Sequence, residues 1–306
     1  MKLYAALLGM TTALPAATLT IVHFNVGYGD STLILSDKPA VSMLIDGGGA
    51  EDAATVIDGL RRLKVAQLDY VIATHRDASH NGGLRKVIKT IPVSGLGGVY
   101  DRDKAWQNAP AVPSQMSSGW KFAKEGLEIL CVAANGKTMS WQTNRPLPDE
   151  NAGSLAFRVK LGNFVYFVGG DLTGGGPMAW GKSADIETHA AGDVGPVAVL
   201  RVNHHGSATS SNPAFLSALN PTVAIISIDQ GQINDQLLQW PAREVMDRLL
   251  ARPALAAVYL TGDASTSGGL TKEDLKKVKT KQGNITITTD GASAFQVNGT
   301  SYDLSK

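Results

Sequence analysis

Four of the six histidines fall in two short clusters, each directly after an apolar run. The first cluster, His75-Arg76-Asp77-Ala78-Ser79-His80, follows Leu68 to Ala73. A strand sheds its apolar character where it leaves the core, and this one at once presents two imidazoles and a carboxylate at i, i+2 and i+5. Those groups suit zinc or a similar divalent ion, and a strand-to-helix turn lets them converge on one point. The bland alternative is a histidine-bearing turn with an Asp helix cap. The second cluster is His204-His205-Gly206-Ser207, after Val197 to Val202, and a third apolar run, Phe164 to Val168, breaks at Gly169-Gly170-Asp171. Alone, Asp171 is an ordinary strand-end turn residue. Together the three strand ends supply a set of metal ligands.

Other chemistries lack their residues. Cys131 is the one cysteine, so the chain has no internal disulfide, no paired-thiolate zinc site and no redox pair. Any ion is therefore held by His and carboxylate. No G-x-S-x-G elbow and no P-loop glycine-lysine pattern occurs. With 28 Lys+Arg against 27 Asp+Glu, the net charge of +1 gives no extended surface for a polyanion. The 306 residues, 43% hydrophobic and 18% charged, describe a soluble globular chain rather than a disordered one. Oligomeric state is not legible in them.

The elements that must position these residues follow from the hydrophobic pattern. Thr18 to Phe24, Ser31 to Ser36 and Val41 to Ile45 read as an antiparallel meander, turning at Gly27-Tyr28-Gly29-Asp30 and ending at Asp46-Gly47-Gly48-Gly49. Ala53, Val56, Ile57, Leu60 and Leu63 have a helical period within Glu51 to Leu63, and Leu68 to Ala73 returns to a buried strand. A helix is expected over Gly82 to Ile88, with strands over Val93 to Tyr100, Leu127 to Ala133, Ser154 to Leu161 and Phe164 to Val168. Residues 101–126 and 134–153 are expected as long loops over one edge. Strands at Val197 to Val202, Val223 to Ile228 and Ala257 to Leu260 alternate with helices at Ala214 to Leu219 and Pro241 to Leu250. A hairpin over 285–297 closes the chain. The basic run Lys272 to Lys281 reads as a solvated helix face. With no repeat and no long linker, residues 18–306 are expected as a single domain of packed sheets flanked by helices.

No formal charge occurs between Lys2 and Asp30, and the apolar stretch Leu3 to Leu14 leads into Pro15-Ala16-Ala17. That layout reads as a secretory signal over residues 1–17, too short to span a bilayer. The mature chain is then secreted, periplasmic or extracellular and has no membrane span; a retained terminus, packed as a core element, would make it cytoplasmic.

The ordered set of motifs resembles the metallo-β-lactamase fold and, within it, the hydrolase domain of the ComEC/Rec2 competence proteins. It runs through Phe24 to Ser31, Leu44 to Gly48, Thr74 to Gly83, Asn151-Ala152-Gly153-Ser154-Leu155, Gly170-Asp171-Leu172, and His204 to Ser207 with Ser210-Ser211. The resemblance implies an α/β fold, a four-layer αββα sandwich, with one or two ions of zinc, or manganese, at one edge and hydrolysis by a metal-bound hydroxide. Carried over by position, His75 and Asp77 hold the first ion, His80 and one of His204 or His205 hold the second, and Asp171 bridges them. His204, nearer the strand end, is the favoured ligand, which leaves His205 for substrate contact or proton transfer beside Asp171. Asp46 matches the aspartate that orients a ligand histidine, or else is simply a turn residue before glycines. Asn151 and Ser154 fall in the motif that lines the site. Ser207, Ser210 and Ser211, with their backbone N–H groups, are candidates for a phosphate oxygen or for an ordinary helix cap.

Two positions depart from the family pattern. The aspartate expected immediately before the last histidine of the first cluster is Ser79, a far poorer ligand than a carboxylate. Trp240-Pro241 stands where relatives carry His-Pro, and offers an aromatic wall in place of an imidazole. The expected activity is that of a metal-dependent phosphodiesterase or nuclease, on a small phosphoester or short nucleic-acid substrate. The alternative is a catalytically weak or silent metal-binding module, motivated by Ser79. Hydrolysis of a β-lactam or thioester is a third option by analogy of fold, and Asp77 in place of a second histidine argues against the β-lactam. Intact mass of secreted material is expected to show a chain beginning near Thr18; an unprocessed Met1 would refute the signal.

Overall fold

The apolar runs become strands with neighbours on both faces, and the partner of each face decides the layering. The structure is a computed structural model that describes residues 17–102, 114–142, 146–179, 181–228, 240–263 and 270–304. The signal expected over 1–17 lies outside it, save for residue 17. One sheet runs in the order Thr300–Asp303, Ala294–Val297, Ile285–Thr289, Leu19–His23, Thr32–Asp37, Ala40–Ile45, Leu68–Ile72, Val93–Asp101 and Ser114–Gln115. The other runs Val278–Lys279, Ala257–Leu260, Val223–Ile226, Val199–Arg201, Phe164–Val168, Ala156–Leu161, Leu127–Ala134 and Lys121–Lys124.

Three apolar clusters cement these layers. Between the sheets, Ile21, Ile34, Met43 and Ile45 meet Ile129, Phe157, Val159 and Tyr166. On the outer face of the first sheet, Val22, Leu33, Leu44 and Val71 pack under helices Ala53–Arg62 and Leu84–Thr90. On the outer face of the second, Phe167, Leu200, Ala224 and Val258 pack under helices Glu187–Val194, Pro213–Leu219 and Arg243–Leu250. Helix, sheet, sheet and helix therefore stack as an αββα sandwich. Each central side chain contributes on the order of 3 kcal/mol, the usual loss when a buried Phe is cut to Ala.

Each sheet has an antiparallel half and a parallel half. Ala40–Ile45, Leu68–Ile72 and Val93–Asp101 are mutually parallel, as are Phe164–Val168, Val199–Arg201, Val223–Ile226 and Ala257–Leu260. Parallel strands deliver their carboxyl ends to one edge, where chain leaving the sheet is free to carry polar groups.

Several elements differ from expectation. The helix expected over Gly82 to Ile88 is two helices, Ala78–Asn81 and Leu84–Thr90, with a glycine pair between them. A Cβ on Gly83 would lie 2.1 Å from the Gly47 carbonyl oxygen, so only glycine lets this turn press against the turn after Ile45. The basic run is not a helix face. Buried Val278 pairs parallel with Val258, which draws Val278–Lys279 into the second sheet and leaves only the short 3-10 turn Asp274–Lys276. The long loops over 101–126 and 134–153 hold strands Ser114–Gln115, Lys121–Lys124 and Lys137–Thr138, while 103–113 and 143–145 lie outside the described residues. Helix Glu187–Val194 was not expected at all. Among the described residues no helix is long and apolar enough to cross a membrane.

Cys131 is fully buried in the middle layer, and burial pushes its thiol up to about 12. It is expected to ignore a disulfide reagent in the folded protein and to react stoichiometrically in denaturant; rapid labelling of the native state would contradict this packing.

Candidate metal centre

Four strand ends meet at one edge of the sandwich. Asp46 follows Ala40–Ile45, His75 follows Leu68–Ile72, Asp171 follows Phe164–Val168, and His204 and His205 follow Val199–Arg201. Asp171 is their hub. Its Oδ1 lies 3.3 Å from His80 Nε2 and 3.6 Å from His205 Nε2, and its Oδ2 lies 3.8 Å from Nε2 of both His75 and His204. Ser154 Oγ accepts from the Asp171 backbone N–H at 3.3 Å, which fixes the turn that carries the carboxylate.

A ring of partners behind the imidazoles decides which nitrogen faces inward. His80 Nδ1 donates to Asp46 Oδ2 at 2.9 Å, and Asp46 is itself held by the Thr74 N–H at 2.8 Å and the Thr74 hydroxyl at 2.7 Å. His75 Nδ1 lies 3.0 Å from Thr74 Oγ1, and His205 Nδ1 donates to the Ser227 carbonyl at 3.0 Å. Fixing Nδ1 from behind leaves Nε2 to bind inward. Nε2 of His75, His80 and His205 and Oδ1 of Asp171 are buried without hydrogen-bond partners among the described residues. Orphaned buried polar atoms are costly, and three imidazole nitrogens around a carboxylate oxygen form a donor set that fits a divalent ion. Asp30, His80, Asp171 and His205 each offer one such atom, all within 4.8 Å of one another.

The same crowding shifts the titrations. Burial alone would raise the Asp171 carboxyl, but the imidazoles of His80, His204 and His205 hold it well below the usual carboxylate range. Burial disfavours a charged His80, yet Asp171 and Asp46 raise it to about 10. Burial, reinforced by the Arg201 charge, keeps His205 well below the usual imidazole value. Asp77, half-exposed, is lowered chiefly by the His75 imidazole, whose Nε2 lies 3.6 Å away.

The histidine pair reverses the expected order. Strand-end position favoured His204 as ligand, but it is His205 that enters the four-residue cluster. His204 Nδ1 lies 2.7 Å from Thr209 Oγ1 and its Nε2 lies 3.3 Å from Asn151 Nδ2. Both residues have left-handed backbone, φ 49° and 52°, so the chain coils where an extended strand end was assumed. Of the serines expected to meet a phosphate oxygen, the Ser210 hydroxyl donates to the Asn203 and Ser207 carbonyls and the Ser211 N–H donates to Glu187, while Ser211 Oγ is buried without a partner among the described residues. Ser207 Oγ accepts from the Thr209 N–H and hydroxyl at the site's rim. Ser79 takes part through its carbonyl, which accepts from the Asp30 N–H at 3.3 Å.

Sequence reasoning gave no part to Arg201, Glu187 or Tyr28, and saw Asp30 only within a turn and a motif. Arg201 is fully buried and pairs with Asp30; a lone cation inside an apolar strand was the available signal. Glu187, fully buried, accepts from Asn203 Nδ2 at 2.8 Å, Ser211 N at 2.8 Å and Asn212 N at 2.9 Å. It clasps both ends of the turn that carries the histidine pair. Tyr28 stacks on Trp240 with ring centroids 4.7 Å apart and lies 5.3 Å from the His205 ring. Trp240 thus forms an aromatic roof where the sequence suggested a wall. Beside it opens a cavity of about 890 Å³, lined among others by Asp77, Asn151, His204, Ser207 and Trp240.

The family model of the metallo-beta-lactamase superfamily matches residues 24–230. The chain is 28% identical over 217 residues to the competence protein ComA of Neisseria gonorrhoeae, covering 70% of this chain and 28% of that protein. It is 28% identical over 246 residues to recombination protein 2 of Haemophilus influenzae, covering 76% of this chain and 26% of that protein. The chain therefore spans about a quarter of the length of the curated relatives it matches. Among solved structures, MEM-A1, a subclass B3 metallo-beta-lactamase isolated from a soil metagenome library, aligns with a TM-score of 0.39 at 16% identity, covering 64% of this chain and 79% of that one.

Glu187→Ala strands three buried donors around the histidine turn. It is expected to lower unfolding free energy by about 3 kcal/mol in urea denaturation, three hydrogen bonds being lost at about 1 kcal/mol each; unchanged stability would show that the clasp carries no load.

Proposed function

The chain belongs to the metallo-beta-lactamase superfamily, and on that premise we propose that it is a metal-dependent phosphodiesterase or nuclease acting on a small phosphoester or a short nucleic-acid strand. The observation that carries the reading is the buried set of unpartnered atoms, Nε2 of His75, His80 and His205 around Oδ1 of Asp171. His75 and Asp77 would hold one ion and His80 and His205 the other, with Asp171 available to both. Zinc or manganese, when bound, would supply Lewis-acid polarisation of the phosphoryl group and a water acidified to a pKa of about 7.

The remaining residues orient and exclude. Asp46 and the Ser227 carbonyl keep the ligand nitrogens of His80 and His205 facing inward. His204, at the cavity wall between Thr209 and Asn151 and held below the usual imidazole value by burial, is placed as a neutral imidazole to contact the substrate or accept a proton. Its role and that of His205 are thus exchanged relative to the expectation from sequence. The Tyr28–Trp240 stack keeps water off one side of the histidines. The net charge of +1 gives no extended basic surface for a long polyanion, which supports a small or short substrate. The proposed domain runs from residue 18, and the proposed location after removal of 1–17 is secreted or periplasmic.

Ser79 keeps a second reading in play, that of an ion-binding module without turnover. One experiment decides between them. Purified protein with added zinc or manganese is expected to cleave a chromogenic phosphodiester, chelator to abolish the activity, and Asp171→Ala to lower the rate by at least about a hundredfold. Equal rates for the two proteins would end the hydrolase reading, and tight ion binding without cleavage would favour the silent module.

A further inference from the structure

Position 79 lacks the carboxylate that the family motif leads one to expect there, yet the space beside it holds one. The turn at residues 27–30 lies directly against the backbone of residue 79. Asp30 N–H donates to the Ser79 carbonyl at 3.3 Å, and a Cβ added to Gly29 would lie 2.2 Å from that same oxygen. Gly48 N–H donates to the Asp30 carbonyl at 2.8 Å, so the turn is pinned from two sides. Asp30 is buried, with 3% of its surface exposed.

The two oxygens of Asp30 have different surroundings. Oδ2 accepts from Arg201 Nη2, while Oδ1 is buried and has no partner among the described residues. Arg201 is itself fixed, since its Nη1 donates to the Gly170 carbonyl at 2.8 Å and the Val202 carbonyl at 2.6 Å. A carboxylate oriented through one oxygen by an outer donor, with its other oxygen buried and unpartnered, has the arrangement of a metal ligand. The other members of its cluster, His80, Asp171 and His205, are equally buried, and each also has an orphaned atom.

We infer that Asp30 supplies the carboxylate ligand that position 79 has lost, completing with His80, His205 and Asp171 a four-residue site for a divalent cation. Arg201 is the positioning residue: it orients the carboxylate and offsets one of the negative charges gathered there. Moving the ligand from the helix turn to the strand turn preserves the donor set while leaving residue 79 free to be serine.

This inference rests on the reading of the site as a metal centre, and its test measures ion binding rather than turnover. Zinc binding to the full chain, followed by competition with a chromophoric chelator and by elemental analysis, is compared across variants whose fold is checked by circular dichroism. Asp30→Asn alone would leave Arg201 buried without its partner, so the main variant is Asp30→Asn with Arg201→Met, which removes the whole ion pair. It is expected to weaken one zinc by at least about tenfold, and adding Ser79→Asp to it should restore most of the loss. In the otherwise natural chain, Ser79→Asp is expected to change affinity by less than about tenfold, because a carboxylate is already in place. Natural affinity in the double variant, or a gain beyond about a hundredfold from Ser79→Asp alone, would overturn the assignment of Asp30 and leave the metal centre standing. A natural protein that takes up no zinc would overturn both.

Discussion

A carboxylate taken out of water has to be met by positive charge or by donors, and Asp171 is taken out of water where three strands end. Everything around it can be read as the answer to that demand. Four imidazoles turn toward it, and each has an outer partner that fixes its ring. Gathering such groups in the interior is costly, and the raised His80 and the outer partners of the rings offset part of that cost.

The scaffold supplies the rigidity this requires. His75, Asp171 and His204 each sit three residues beyond a buried strand, so little slack separates them from the core. Thr74 and Asp46 tie two turns of the first sheet together, Ser154 and Asp171 tie two turns of the second, and Leu155 N–H donates to the Thr74 carbonyl across the gap at 3.0 Å. The outer partners are as much a part of the centre as the imidazoles, because an imidazole with a free ring presents either nitrogen.

Much of this was legible in the chain because strands buried on both faces read as apolar runs and because ligand-type residues clustered at their ends. The sheets, the two helices over the first sheet and the three strand ends follow from that pattern. What escaped it depended on local backbone or on distant partners. The order of His204 and His205 turned on two left-handed residues that no hydrophobic period encodes. Helix Glu187–Val194 hides its meaning in one buried acid whose partners lie at 203, 211 and 212. Asp30 looked like a turn residue because its partner, Arg201, is 171 residues away. The run Lys272 to Lys281 misled because a single buried Val278 outweighed its charges.

The first strand of the chain and the strand Ile285–Thr289 are immediate neighbours, with Leu19 opposite Thr289 and His23 opposite Ile285. A sheet whose opening strand waits for a partner from the far end closes late, since so large a loop costs entropy before any pairing rewards it. During synthesis, then, the turns bearing Asp30, Asp46 and His75 are made before Ile285–Thr289 and belong to a sheet still open along one side. Until that strand is made, Leu19–His23 presents a bare edge on which another strand could pair.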